Sequence, residues 1–325
     1  MISQLDVAWK WRESKGLFTG SDALRVFHGP SEGVRELSRV AIEKFGSHYW
    51  IFEWERGDSA VSSELRKILE KFLLGKGATS AVFLERPEKG VPADPVVLFG
   101  EPPPYLDVRE GSLKFRIRFL GTRHPGLFLD HQPRREWLAA NSRGWKVLNT
   151  FAYTGSLSVA AGIGGASHVT TLDLSKPTLK WAEENWLLND LPMDRARFIH
   201  GDYFEWLPRL KREIAAGADA FDCVILDPPS FSRGKKGSFS TSKDLAKLHE
   251  LAFDVLKPGG VLVTSINSEN VSWPAFEKDV QAAARGLKYS VISKITAPET
   301  FPKATYLKGW ILKKGPAHFV MPGAL

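Results

Sequence analysis

The spacing of apolar and polar residues divides the chain into two regimes near residue 140. Ahead of it, short runs of β-forming residues recur: ALRVFHG, HYWIFEWE, SAVFLERPE, PVVLFG and LKFRIRFLG. Gly/Pro-rich turns such as Gly100-Glu101-Pro102-Pro103-Pro104 punctuate them. One segment has helical spacing instead: from about Ser62 to Leu74, apolar side chains fall at Leu65, Ile68, Leu69, Phe72 and Leu73. Residues 1–110 therefore read as a small α+β domain. Residues 111–140 read as a connector, a hairpin strand followed by a helix carrying Arg134, Arg135 and Trp137.

Beyond residue 140, strand and helix patterns alternate. KVLNTF is an apolar strand, and GSLSVAAG opens a helix. HVTTLDL is a second strand, followed by the amphipathic SKPTLKWAEENWLLNDL, with Ser175 placed as N-cap and Pro177 in the first turn. ARFIHGD and FDCVILDPP are the third and fourth strands. A helix from about Lys243 to Leu256 stops at Pro258-Gly259-Gly260, and VLVTSIN is the fifth strand. A helix near Pro274 to Arg285 leads to two final strands, YSVISKIT and TYLKGWILK, which only a loop separates. The alternation predicts a Rossmann-like α/β domain over 141–325: a seven-stranded, mostly parallel sheet with an antiparallel C-terminal hairpin at its edge. No internal repeat or low-complexity tract interrupts this order.

Composition changes the picture in two respects. The chain has 325 residues, enough for two domains, with 43% hydrophobic and 25% charged residues. The opening MISQLDVAWKWRESKG is not a signal peptide, no apolar run has the length of a membrane span, and the one cysteine, Cys223, rules out an internal disulfide. These features predict a cytoplasmic protein with no membrane partner. The second respect is charge: the net charge is +7 and the pI about 9.3. A basic surplus suits either a nucleic-acid partner or a merely basic surface. Its placement favours nucleic acid, because Arg285–Lys314 holds seven Lys/Arg against Glu299, and Ser230–Lys247 holds five against Asp244.

Candidate chemistry follows from the topology, since ligands of open α/β sheets sit at the carboxyl ends of the strands. After strand one comes Asn149-Thr150-Phe151-Ala152-Tyr153-Thr154-Gly155-Ser156, with one glycine and no G-x-G-x-x-G pattern. A dinucleotide pyrophosphate needs the glycine-rich turn. S-adenosylmethionine (SAM) has no phosphate, so this turn favours SAM over NAD. Strand two ends in Asp173, placed to accept the ribose hydroxyls; strand three ends in Asp202, for the adenine amine, with Tyr203 beside the ring. A single acid at a strand end is commonly a solvated cap, but three such features on successive strands point to a nucleoside. Strand four ends in Asp227-Pro228-Pro229-Ser230-Phe231, a rigid wall with an aromatic ring to stack on a nucleobase. That arrangement suits methyl transfer, which is above all a positioning problem. It calls for no metal.

These residues carry a resemblance. NTFAYTGSLSVAAGIGGASHVTTLDLSKPTLKWAEENWLLND, FDCVILDPPSFS and LKPGGVLVTSIN resemble the bacterial 23S ribosomal-RNA large-subunit methyltransferases, nearest the guanine-N7 half (K half) of the fused K/L enzyme and next the cytosine-5 branch. Gly126-Leu127-Phe128-Leu129-Asp130-His131-Gln132 looks like that superfamily's segment folding over the cofactor, while Phe301-Pro302 and Tyr306-Leu307-Lys308-Gly309 look more like the cytosine-5 branch. The resemblance implies a class I SAM-dependent methyltransferase acting on ribosomal RNA and releasing S-adenosylhomocysteine. By motif matches it implies cofactor contacts from Phe128, Asp130, Phe151, Tyr153, Thr154, Gly155, Asp173, Asp202 and Asp227. The chain departs from those relatives in showing no N-terminal RNA-capturing domain and no second methyltransferase half.

Cytosine C5 methylation requires a cysteine thiolate that adds to C6. The cytosine branch is expected to carry it just after strand five, where this chain has Asn267, and Cys223 lies inside an apolar strand. A covalent mechanism is therefore disfavoured. Guanine N7 already presents a lone pair, so Asp227, Pro228, Pro229 and Asn267 would position the base and Phe231 would stack on it. Arg233, Lys235 and Lys236, in a glycine-bearing loop, and Lys308 are the candidate RNA-phosphate contacts; a mobile solvated loop is the other reading of the first three. Two further readings stay open: a methyltransferase acting on another RNA base, a protein or a small molecule, and an RNA-binding ribosome-assembly protein retaining a SAM pocket.

Overall fold

The computed structural model describes residues 1–54, 63–87, 90, 94–229, 231–234, 237–268, 271–284 and 286–316, with backbone alone for 231–234 and 237–243. The chain forms two compact units: Met1–Gln132 with Ala297–Ala304, and Pro133–Thr296 with Thr305–Leu325. The sequence reading drew its boundaries near 110 and 140.

The first unit opens with helix α1 (Ile2–Ser14) and continues through β1 (Ala23–His28), the one-turn α2 (Gly29–Glu32), β2 (Val40–Phe45), β3 (His48–Trp54), α3 (Ser63–Gly75), β4 (Ser80–Arg86) and β5 (Val96–Gly100). These strands make one sheet in chain order, antiparallel except where α3 carries the chain across to lay β4 parallel to β3. The hairpin of β6 (Tyr105–Glu110) and β7 (Leu113–Arg118) follows. Helix α3 buries Leu65, Leu69, Phe72 and Leu73, as its periodicity predicts. Helix α1 was not foreseen. Its inner face carries Leu5, Ala8 and Trp9 together with Arg12, a cation where an apolar residue is expected. The Arg12 guanidinium is fully buried, donating to the Arg25 carbonyl (2.8 Å), the Thr300 carbonyl (2.8 Å) and Glu32 (2.7 Å).

The second unit contains α4 (Gln132–Asn141), β8 (Lys146–Thr150), α5 (Ser156–Ile163), β9 (His168–Asp173), α6 (Lys176–Leu188), β10 (Ala196–His200), α7 (Tyr203–Ala215) and β11 (Phe221–Leu226). A small ribbon of β12 (Phe231–Gly234) and β13 (Gly237–Ser240) follows, then α8 (Thr241–Val255), β14 (Leu256–Asn267), α9 (Trp273–Ala284), β15 (Tyr289–Ile295) and β16 (Leu307–Lys314). The main sheet has seven strands in the order β10-β9-β8-β11-β14-β16-β15. It is parallel except for β16, which runs antiparallel to both β14 and β15. The expected C-terminal hairpin is present, with its second strand inserted inward, so Leu307–Leu312 is buried.

Alternation along the strands assigns the two faces. Leu148 of β8 and Leu262 and Ile266 of β14 join a core with α7, α8 and α9. Asn149, one residue on, points the other way and donates to Ser158 of α5 (2.9 Å). Helices therefore cover both faces, as a largely parallel sheet requires. Ser175 caps α6 as read from sequence, accepting from the Thr178 amide. No described helix is long and apolar enough to cross a membrane.

Candidate active site

The carboxyl ends of β8, β9, β10 and β11 lie side by side in the second unit, and each ends in the loop picked out by sequence. The turn after β8 is built on three left-handed residues in alternation: Phe151 (φ 52°), Tyr153 (φ 52°) and Gly155 (φ 73°). Two of the three carry aromatic side chains, which costs about 1–2 kcal/mol each. Hydrogen bonds from three directions hold the turn. The Ala152 amide donates to the Leu172 carbonyl (3.1 Å), the Tyr153 amide to Asp173 Oδ2 (2.7 Å), and Asn185 Nδ2 to the Thr154 carbonyl (2.9 Å). A Cβ on Gly155 would come within 2.8 Å of the Ala182 Cβ, so glycine lets α6 close against the turn. Here the glycine serves both φ and space.

Asp173 is the hub of this end of the sheet. Besides the Tyr153 amide it accepts the Ser175 amide (2.8 Å) and the Thr178 hydroxyl (3.2 Å) on Oδ1. Burial pushes its carboxyl above the ordinary aspartate value, against the lowering pull of these donors and of His200. A carboxylate has about four acceptor positions. Three are taken by the protein itself, which leaves one acceptor position on Oδ2. Asp202 caps α7, its Oδ1 accepting the Phe204 amide (2.8 Å), while Oδ2 takes no part in the cap. Tyr203 does not flank that position. Its ring is buried in the core, stacked on Phe151 with centroids 5.0 Å apart, and its hydroxyl donates to the Leu248 carbonyl (2.7 Å). The first residue of α7 faces α8, which decides its direction.

Beyond β11, Asp227 is followed by a buried Pro228 and an exposed Pro229. Ser265 Oγ of the neighbouring β14 donates to Asp227 Oδ1. Burial raises the Asp227 carboxyl, while the fully buried Arg134 of α4 and the Ser265 hydroxyl hold it down. Beside Ser265, Thr264 bonds His249 Nε2 (2.8 Å), and His249 Nδ1 lies 2.8 Å from the Leu245 carbonyl. The carbonyl can only accept, so Nδ1 carries the proton and Nε2 accepts from Thr264. Burial brings this imidazole down to a pKa of about 4, keeping it neutral. Sequence reasoning missed Ser265, Arg134 and His249. The available signal was Thr264-Ser265, two polar residues inside the apolar run Val261–Ile266, since a buried polar group needs a partner. Asn267 closes β14 at this end and is exposed.

The remaining sequence candidates separate. Phe128 and Asp130 belong to the first unit, on the turn Leu129–His131 ahead of α4. Phe128 packs against His124 (4.2 Å between centroids) and stacks with His131 (5.7 Å), and it keeps 37% of its surface exposed; Asp130 is buried. The side chains of Phe231 and Arg233, and all of Lys235 and Lys236, lie outside the described residues. Lys308 is a correction: it is 5% exposed and cannot grip RNA. Its ammonium donates to the carbonyls of Ser268 (2.8 Å), Thr305 (3.2 Å) and Tyr306 (3.4 Å), closing the turn into β16. Cys223 lies in mid-β11, completely buried, with its thiol pushed well above the ordinary value by burial and by Asp222.

The strand order with β16 antiparallel, the glycine turn after β8 and the acids ending β9, β10 and β11 define a class I SAM-dependent methyltransferase. A profile of S-adenosylmethionine-dependent methyltransferases matches residues 62–312, and the chain belongs to that family. It is 33% identical to the ribosomal RNA large subunit methyltransferase of Deinococcus radiodurans over 315 residues, covering 91% of this chain and 73% of that one. It is 29% identical to the ribosomal RNA large subunit methyltransferase K/L of Shewanella sp. MR-4, covering 93% of this chain. The chain spans 42% of the length of that K/L relative. A crystal structure of a methyltransferase complexed with S-adenosylhomocysteine superposes with a TM-score of 0.85 at 24% identity, over 96% of this chain and 80% of that one; it shares the fold.

Proposed function

We propose that this enzyme methylates a base of large-subunit ribosomal RNA, with guanine N7 as the acceptor and no covalent cysteine intermediate. The likeness to the Deinococcus radiodurans enzyme along most of both chains supports the substrate class. The burial of Cys223 supports the non-covalent route, because a thiolate must reach C6 of a pyrimidine to activate C5.

The cradle fits SAM: Asp173 keeps one acceptor position for the ribose, Asp202 Oδ2 is open to the adenine amine, and glycine at 155 lets α6 close against the turn whose Tyr153 amide holds Asp173. Within the second unit, Phe151, Tyr153 and Thr154 complete these contacts. The cofactor supplies an electrophilic methyl group. The protein supplies alignment. Guanine N7 has no proton to lose, so no group here has to act as a strong base. Asp227, held by Ser265 and beside the Arg134 charge, fixes the turn in which Pro228 and Pro229 form the wall for the base. Asn267 offers an amide to the base edge. A base in a duplex must first be flipped out, at about a few kcal/mol.

The test is turnover with labelled SAM on large-subunit RNA from a strain lacking the gene, followed by nucleoside mass spectrometry. Labelled N7-methylguanosine is the expected product. Labelled 5-methylcytosine would overturn the acceptor assignment, and label in protein but not RNA would overturn the substrate class.

A further inference from the structure

At the far end of β14 from Asn267, a groove of about 510 Å³ opens at the sheet edge, between the Pro258-Gly259 turn and the adjoining ends of β15 and β16. Lys288, Lys313 and Lys314 line it, and none of its described lining residues is acidic. Lys288 and Lys313 are exposed. The Lys313 ammonium has no hydrogen-bond or ion-pair partner among the described residues. Lys314 forms the floor: its ammonium donates to the carbonyls of Phe253 (2.7 Å) and Leu256 (2.6 Å), leaving one of its three N–H groups for a ligand. Asp254, which pairs with Lys211 (3.0 Å), also acts on the Lys314 ammonium. Tyr289 gives the groove an apolar wall.

We propose that this groove is a docking site for the RNA phosphodiester backbone, a secondary grip remote from methyl transfer. The inference rests on RNA being the substrate. Three lysines line an open groove in a chain of net charge +7, and a polyanion complements that charge. β14 runs from Gly259 at the groove to Asn267 at the active site, eight residues or about 26 Å. An RNA that fills both must therefore extend at least that far from the methylated base. This anchor replaces Lys308, whose ammonium is committed to carbonyls.

The test compares the whole chain with Lys288→Gln/Lys313→Gln and with Lys67→Gln/Lys71→Gln, an equal charge loss on exposed positions of α3. Filter binding to unmodified transcribed large-subunit RNA is read against salt, alongside methylation kinetics. Losing two phosphate contacts lowers the salt slope by about 1.4–1.8 and raises Kd roughly 15- to 30-fold near 150 mM salt. We expect KM for RNA to rise in step, with kcat at saturating RNA and SAM affinity unchanged, and the α3 variant to behave as wild type. A groove variant matching the α3 variant, while wild type binds and methylates RNA, overturns the groove alone. A defect seen only on ribosomal particles and not on bare RNA also overturns it, in favour of an acidic protein partner. Wild type that neither binds nor methylates RNA overturns the substrate reading and the groove with it.

Discussion

Replacing Asp173 with asparagine probes the β8 turn and the nucleoside pocket together. The carboxylate takes three donors from its own chain: the Tyr153 and Ser175 amides and the Thr178 hydroxyl. An asparagine oxygen can keep those on one side, but its NH₂ must then face a backbone N–H. One charge-assisted bond is lost and a donor is stranded, a gross cost of about 1.5–3 kcal/mol. Part of this returns, because burial penalises the ionised carboxyl. The net loss of stability without cofactor is therefore about 1–2 kcal/mol, measured by urea denaturation. With one acceptor position left for the ribose, SAM loses one further bond of about 1.5–3 kcal/mol, a 10- to 150-fold rise in Kd by calorimetry. The raised pKa gives the pH sign: protonation relieves a cost in the folded protein as pH falls through the raised value, while SAM affinity declines over the same window, above the ordinary aspartate range. Unchanged cofactor-free stability would refute the three-donor geometry. A 10⁴-fold loss of affinity would refute the single-acceptor count.

Three further outcomes are specific. Cys223→Ala should leave kcat within about twofold and cost roughly 1 kcal/mol of stability from the lost packing; a loss of kcat beyond about 100-fold would reinstate a covalent route. Lys308→Met strips three carbonyls of their common donor and should lower stability by about 2–3 kcal/mol, with the salt slope of RNA binding unchanged. His249 has its pKa depressed to about 4, so the unfolded chain binds its proton more readily and stability is lost as pH falls from 6.5 towards 4, by about 3 kcal/mol from this group. His28, brought down to about 3, adds to the slope, so the readout is the difference between wild type and His249→Gln; equal slopes would contradict the buried neutral imidazole.

The sheet of the second unit was legible because its signals are local. Apolar runs at strand spacing, a capped α6 and punctuating glycines each act within a few residues. Two helices were not. Arg12 breaks the apolar face of α1, and Pro208 interrupts α7 where a breaker argues against a helix. At the site, the strand-end acids were legible because topology fixes their place. What each acid accepts was not, since the donors to Asp173 come from turns at residues 153, 175 and 178. Tyr203 and Lys308 show the same limit. One faces the core and the other a ring of carbonyls because of partners about 40 residues away, Leu248 and Ser268, and residue type alone does not report direction.

Gly309 gives the sharpest test of how Asp227 is held. In β16 it pairs in register with Ser265, the residue that donates to Asp227. Its value is space: a Cβ there would lie 2.7 Å from Arg134 Nη2 and 3.2 Å from the Thr264 carbonyl. In Gly309→Ala the backbone cannot give way without disturbing the β14–β16 ladder, so the buried guanidinium must retreat, at about 1–3 kcal/mol of overpacking. Retreat weakens the charge that holds the Asp227 carboxyl down, and burial then pushes that carboxyl further up. The expected result is a fall in kcat, with the acid limb of the pH–rate profile moved to higher pH and SAM affinity little changed, because Asp173 and the β8 turn are untouched. A variant that loses stability but keeps the wild-type pH profile would show that Arg134 packs the corner without tuning it.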